Sequence, residues 1–266
     1  MNDGDYILMI VEGEVREVNI INHVENFFDK KDKFKYINLP ARQNIYMLWK
    51  VLKEDDFQTD IIEIIREKVE GADKILSGIS RDDISETYLF FDLDAQQKNL
   101  PYGEDNAITV ISEMLDSFDN ETESGKLYIS YPMIEALRDF GDKGCITFSG
   151  DCEIDNGKLV SYKTLTGEGN RYSSINKYKE DEWRLIFKTF VLRLSCMLSL
   201  SEVISYDHYK HITPKEVFAA ELPWLQASKV FILSAIPEFI LDYFPERFWK
   251  SKIKVKKLDK RYCLRK

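Results

Sequence analysis

Three carboxylates stand where apolar segments end: Glu12 after residues 6–11, and Asp92 and Asp94 after residues 87–91. In an open parallel sheet, ligands bind beyond the carboxyl ends of the strands. Burial disfavours unpaired charge, so two buried strands that both end in acids point to an edge built to hold something. Alternation along an extended chain would put Asp92 and Asp94 on one face. Oxygen-only ligands suit Mg²⁺ or Mn²⁺, which bind a few carboxylates together with water and substrate phosphates. Gly13 follows Glu12 and removes a side chain where backbone and substrate would approach each other. Either acidic motif alone has an ordinary structural explanation, because an aspartate after a strand often caps the next helix. Together they make this edge the candidate catalytic and metal site.

The elements that must position these groups follow from hydrophobic periodicity. Residues 6–11 and 87–91 are continuous apolar runs, the pattern of strands buried on both faces. Val15, Val18, Ile20, Ile21, Val24, Phe27 and Phe28 give a helical apolar face after the first strand. A short strand over 34–39 is closed by Pro40, and helices are expected over 43–52, 61–69 and 105–118. A further strand spans 126–130, and Pro132 is placed at the first position of a helix that carries Glu135. The order through Phe140 is βαβααβαβα, which predicts an α/β layer with a mainly parallel sheet flanked by helices. Residues 1–140 form the expected catalytic domain and 141–266 a mostly helical C-terminal subdomain with a basic tail. In the second half, 141–176 reads as a hairpin or lid with a turn at 155–157. Helical periodicity starts at Asp181, and 230–244 reads as an apolar helix kinked or broken at Pro237.

Of the 266 residues, 44% are hydrophobic and 31% charged, which fits a soluble globular protein and excludes a disordered one. The first ten residues carry two aspartates and no basic segment, so no signal peptide is expected, and no apolar stretch is clean enough for a membrane span. Cys145, Cys152, Cys196 and Cys263 lack metal-finger spacing; free thiols in a reducing cytoplasm are expected. His23, His208 and His211 show no zinc-ligand spacing, and 167–169 lacks the context of a phosphate loop. The net charge of −9 argues against a generally basic nucleic-acid binder. Residues 250–266 hold nine basic groups against Asp259, so the charge is concentrated as +8 there and −17 elsewhere. That tail could meet phosphate or an acidic partner, or be a lysine-protected edge strand over 252–256.

The segment 11–17 (Val-Glu-Gly-Glu-Val-Arg-Glu), a following helix, and a second apolar strand with Asp92-x-Asp94 resemble the Toprim domain of topoisomerases, bacterial primases and overcoming-lysogenization-defect nucleases. Glu14, Glu17 and the segment 128–135 (Tyr-Ile-Ser-Tyr-Pro-Met-Ile-Glu) look closest to RloB-type and PARIS-effector Toprim proteins of phage defence. The resemblance covers residues 5–140. It implies a Mg²⁺- or Mn²⁺-dependent nuclease acting on DNA or RNA, transfer RNA included, in antiviral defence by abortive infection. It implies Glu12 as acid/base or metal ligand, Asp92 and Asp94 as catalytic metal ligands, and Glu135 as a ligand of a second metal position. Glu14 and Glu17 would stand behind these groups, Glu17 more readily as a solvated helix residue. Basic residues near the motifs are scarce: Arg16, Arg42, Lys98 and Arg138 are the candidates to meet phosphate.

An acidic body binds nucleic acid poorly alone, which points to a partner such as an ATPase that delivers or activates the protein. The lack of a signal peptide and of a membrane span, with the cysteine pattern, leads to the expectation of a cytoplasmic location without a membrane; the oligomeric state is left open, a homodimer included. The rival is a catalytically inactive Toprim-like binding or regulatory module. The segment 89–94 also resembles the Asp-x-Asp motif of haloacid-dehalogenase phosphatases, but Ala95-Gln96 follows where that family carries Gly-Thr.

Overall fold

The computed structural model describes residues 6–28, 35–42, 44–94, 107–140, 152–167, 172–245 and 249. Lys98, Cys145, Gly169, Cys263 and the basic segment 250–266 lie outside them. The chain divides into two compact units, Met1–Tyr128 and Ile129–Lys266, where the sequence pattern placed the division at 140.

The first unit is built on β1 (Tyr6–Val11), β2 (Lys35–Pro40) and β3 (Ile84–Asp92), with α1 (Arg16–Phe28), α2 (Ile45–Glu54), α3 (Ile61–Lys68) and α4 (Ala72–Ile75) between them. After β3 come α5 (Ala107–Ser117), the two-residue β4 (Asp119–Asn120) and β5 (Gly125–Ser130). The sheet order is β2-β1-β3-β5-β4. β1 runs parallel to β2 on one side and to β3 on the other, while β4 is antiparallel to β5. This is the α/β class with a mainly parallel, helix-flanked sheet that the alternation predicted.

Ile7, Leu8, Ile10 and Val11 have no solvent exposure, as a strand with parallel neighbours on both sides and helices on its faces requires. Gly125 opens β5 at φ +106, and a Cβ there would lie 2.7 Å from Leu89 Cδ1; only glycine lets β5 come this close to β3. The helices start where the sequence supplies caps. Asn44 accepts a hydrogen bond from the Met47 amide, and Asp60 one from Ile62 at 2.7 Å. Arg81 ties three segments together, bonding the Asp60 carboxylate and the Ile84 and Glu123 carbonyls.

In the second unit, β6 (Glu153–Asp155) pairs antiparallel with β7 (Lys229–Phe231). Its helices are α6 (Leu159–Leu165), α7 (Glu180–Met197), α8 (Tyr206–Tyr209), α9 (Pro214–Gln226) and α10 (Ala235–Tyr243). The segment 230–244 is thus a strand followed by a helix. Pro237 lies in the first turn of α10, where its missing N–H removes no intrahelical bond. The helix expected from Pro132 is instead a 3₁₀ turn, Ile134–Arg138. Tyr131 is still extended there, exchanging backbone hydrogen bonds with Leu233, so helix geometry starts two residues beyond the proline. The expected turn at 155–157 leads directly into α6. Cys152 is disulfide-bonded, which corrects the expectation of free thiols at that position. Among the described residues no helix is long and apolar enough to cross a membrane.

Candidate acid–base and metal site at the sheet edge

The parallel register sets Val11 beside Phe90, so Glu12 and Asp92 leave the sheet together at its carboxyl edge. The backbone of Glu12 is fixed from the other side: the Ala41 amide donates to the Val11 carbonyl and the Arg42 amide to the Glu12 carbonyl, at 2.7 and 3.0 Å. Its side chain then crosses toward β3, where Glu12 Oε2 accepts a hydrogen bond from the Asp92 amide at 3.3 Å. Two strand ends that are far apart in sequence meet at this contact.

Asp94 is placed differently from the expected alternation. The strand stops at Asp92, Leu93 turns inward with 1% exposure, and Asp94 takes φ +41. Its position is set by a left-handed residue after the strand, a conformation aspartate tolerates better than most side chains. The Tyr46 hydroxyl, from α2, donates to the Leu93 carbonyl at 2.9 Å and holds this turn from beneath.

Burial of the Glu12 carboxyl pushes its pKa up to about 7; the Asp92 amide pulls it down, and the charges of Asp94 and Glu17 push it further up. Partial burial raises Asp94 as well. Burial, with Asp94 and Glu12 beside it, pushes the Tyr46 phenol well above its ordinary range, so Tyr46 remains a hydrogen-bond donor at any ordinary pH. Glu12 therefore divides between its acid and base forms near neutral pH, the range in which a carboxyl group can both give and accept a proton.

Glu17 is not simply a solvated helix residue. It sits in the first turn of α1 and folds back over Gly13, where a built Cβ would lie 2.8 Å from its Cδ. The space beside Gly13, expected to admit substrate, is filled by this carboxylate. Arg42, a candidate phosphate partner, is paired with Glu14 at 3.0 Å and approaches Glu70 at 3.9 Å.

Glu135 belongs to the second unit, where it is 4% exposed and faces Lys163 Nζ at 3.6 Å. Arg138, also expected near phosphate, is taken up at the end of α6: it donates to the Lys163 carbonyl at 2.5 Å and to Thr166 Oγ1 at 3.1 Å. His208 lies in α8 and His23 in α1, stacked on Phe27.

Among the described residues, no three His, Cys, Asp or Glu side chains form a ready-made metal-ligand group. The donor chemistry at the edge nonetheless fits Mg²⁺, which is commonly held by one or two carboxylates plus water and substrate phosphate and needs no complete protein cage. Tyr46 is a neighbour of this edge that periodicity could not single out, since an aromatic on the apolar face of a helix reads as core. No protein-family model, curated protein or solved structure matches the chain.

Proposed function

We propose that the chain is a metal-dependent nuclease of the Toprim type, with Glu12 as the acid/base group and Asp92 and Asp94 as its acidic partners at the sheet edge. The observation that carries this reading is the Glu12 carboxylate reaching across to the Asp92 amide, which joins the two acidic strand ends. Asp92 and Asp94 would hold Mg²⁺ or Mn²⁺ with water and substrate phosphate, beside Glu12. When bound, such a cation neutralises phosphate charge and polarises the scissile linkage. Glu12 gives or takes a proton at its carboxylate oxygens, and Tyr46 keeps the turn carrying Asp94 in place. Glu135, already facing a lysine in the second unit, is left out of the set.

The substrate class is nucleic acid, DNA or RNA, and the role is antiphage defence. The overall charge of −9, and the pairing of Arg42 with Glu14 among the described residues of the first unit, favour delivery or activation by a partner such as an ATPase. The test is Mg²⁺- or Mn²⁺-dependent cleavage of DNA and RNA by the full chain, alone and with its partner. Glu12→Ala should abolish it, and undiminished cleavage by that variant removes the assignment.

One observation favours a second reading, a binding or regulatory module without turnover: the lack of a ready-made three-ligand group among the described residues. Saturable Mn²⁺ binding with no cleavage under any partner condition would select it.

A further inference from the structure

The hydrogen bond from Tyr46 bears on the acidic edge at a single peptide plane. The Leu93 carbonyl that accepts it, at 2.9 Å, belongs to the same peptide unit as the Asp94 amide nitrogen. Fixing that plane fixes the axis about which Asp94 turns to its φ of +41. A non-glycine residue keeps a left-handed conformation only when its surroundings hold it. Tyr46 is well suited to do so. It is 1% exposed, is anchored in the first turn of α2 behind the Asn44 cap, and remains protonated. Leu93 is buried at 1%, so the turn is pinned by a side chain below and a hydrogen bond at its carbonyl.

We infer that Tyr46 is the positioning residue of the acidic edge: by fixing the Leu93–Asp94 peptide it presents the Asp94 carboxylate beside Glu12, where a divalent cation would bind. The cation part rests on the function proposed above; the positioning part rests on the hydrogen bond and the backbone alone.

Tyr46→Phe removes one oxygen and keeps the ring that fills the core. Two readouts on the isotope-labelled full chain separate the two parts. In the metal-free protein, the Asp94 Cα chemical shift should leave the left-handed range in Y46F while the shifts of β1 and β3 stay in place. In a Mn²⁺ titration followed by electron paramagnetic resonance, Y46F should bind roughly tenfold more weakly, the scale of one lost hydrogen bond. In an Asp94→Gly background, which removes the presented carboxylate, Y46F should have no further effect on Mn²⁺ affinity. An unchanged Asp94 shift in Y46F overturns the positioning role whatever the metal does. A displaced Asp94 with unchanged Mn²⁺ affinity overturns its link to the cation. Wild-type protein that binds no Mn²⁺ defeats the proposed function, and the Asp94 shift then decides the positioning role alone.

Discussion

Glu221, on α9, has no solvent exposure, and its Oε1 accepts a hydrogen bond from the Phe231 amide of β7 at 2.9 Å. The bond gives a strand amide a side-chain acceptor, but it leaves Oε2 buried with no hydrogen-bond partner among the described residues. Burial therefore pushes the Glu221 carboxyl up to about 9, against the smaller downward pull of the Phe231 amide. The folded chain holds this proton more tightly than the unfolded chain, whose value is 4.5. The stability it contributes is complete below the unfolded value and is lost progressively as pH rises toward 9. The thermal midpoint should fall between pH 6 and 9, and Glu221→Gln should flatten that fall; an equal slope in both proteins would show that Glu221 is not responsible.

The pKa of Glu12 should respond to its neighbours in the metal-free protein. Asp94 and Glu17 both raise it, so Asp94→Asn and Glu17→Gln should each move it down from about 7. The Glu12 side-chain carbonyl resonance, followed through a pH titration by carbon NMR, measures this directly. A rise in either variant would contradict the electrostatics described.

Gly13→Ala places a methyl where the Glu17 carboxylate now lies. The end of a flexible side chain can move, so the cost in stability should stay below about 1 kcal/mol. The displaced carboxylate should no longer act on Glu12, and its pKa should drop as it does in Glu17→Gln. Chemical denaturation and the same NMR titration check the two halves separately.

Cation binding at the proposed site should release protons. The Glu12 carboxyl, with a pKa of about 7, is part protonated at neutral pH, and a cation held beside it favours its charged form. Mn²⁺ titrations at pH 7 in buffers of different ionisation enthalpy should give apparent enthalpies that vary linearly with the buffer. Glu12→Gln should remove most of that slope, and chelation should reverse the binding.

Arg138 joins the end of α6 to the 3₁₀ turn through the Lys163 carbonyl and Thr166 Oγ1, while Tyr162 donates to Asp139 at 2.9 Å. A cation at a helix C-terminus is favoured by the helix dipole. Arg138→Ala should cost roughly 1–3 kcal/mol, in the range for hydrogen bonds to charged groups. Hydrogen exchange should speed up most over Leu159–Leu165, and uniform acceleration across the second unit would argue against a local tether.

The strands of the first unit are legible in the sequence because parallel strands buried on both faces read as continuous apolar runs, as β1 does throughout and β3 does over its last buried stretch, Tyr88 to Phe91. Glu12 follows from that reading, as the first residue past a buried strand. Asp94 was found for the wrong geometric reason: alternation implies an extended chain, whereas the residue turns left-handed. Helix α6 stayed hidden because Val160 and Leu165, two of its apolar residues, face solvent at 95% and 64% exposure and break the periodic signal. β7 was merged with α10 because a short apolar run does not distinguish a buried strand from a buried helix. The contacts of Tyr46, Glu17 and Arg138 depend on side-chain direction in space, which spacing along the chain does not encode.

Pairing on both sides of β1 also bears on the order of synthesis. During translation β1 emerges well before β3, the second neighbour it needs, and until then its Ile-Leu-Met-Ile-Val run has one flank without a strand. Such an edge is a template for wrong pairing between nascent chains. The sheet that brings Glu12 to Asp92 therefore closes over β1 only once residue 92 has left the ribosome.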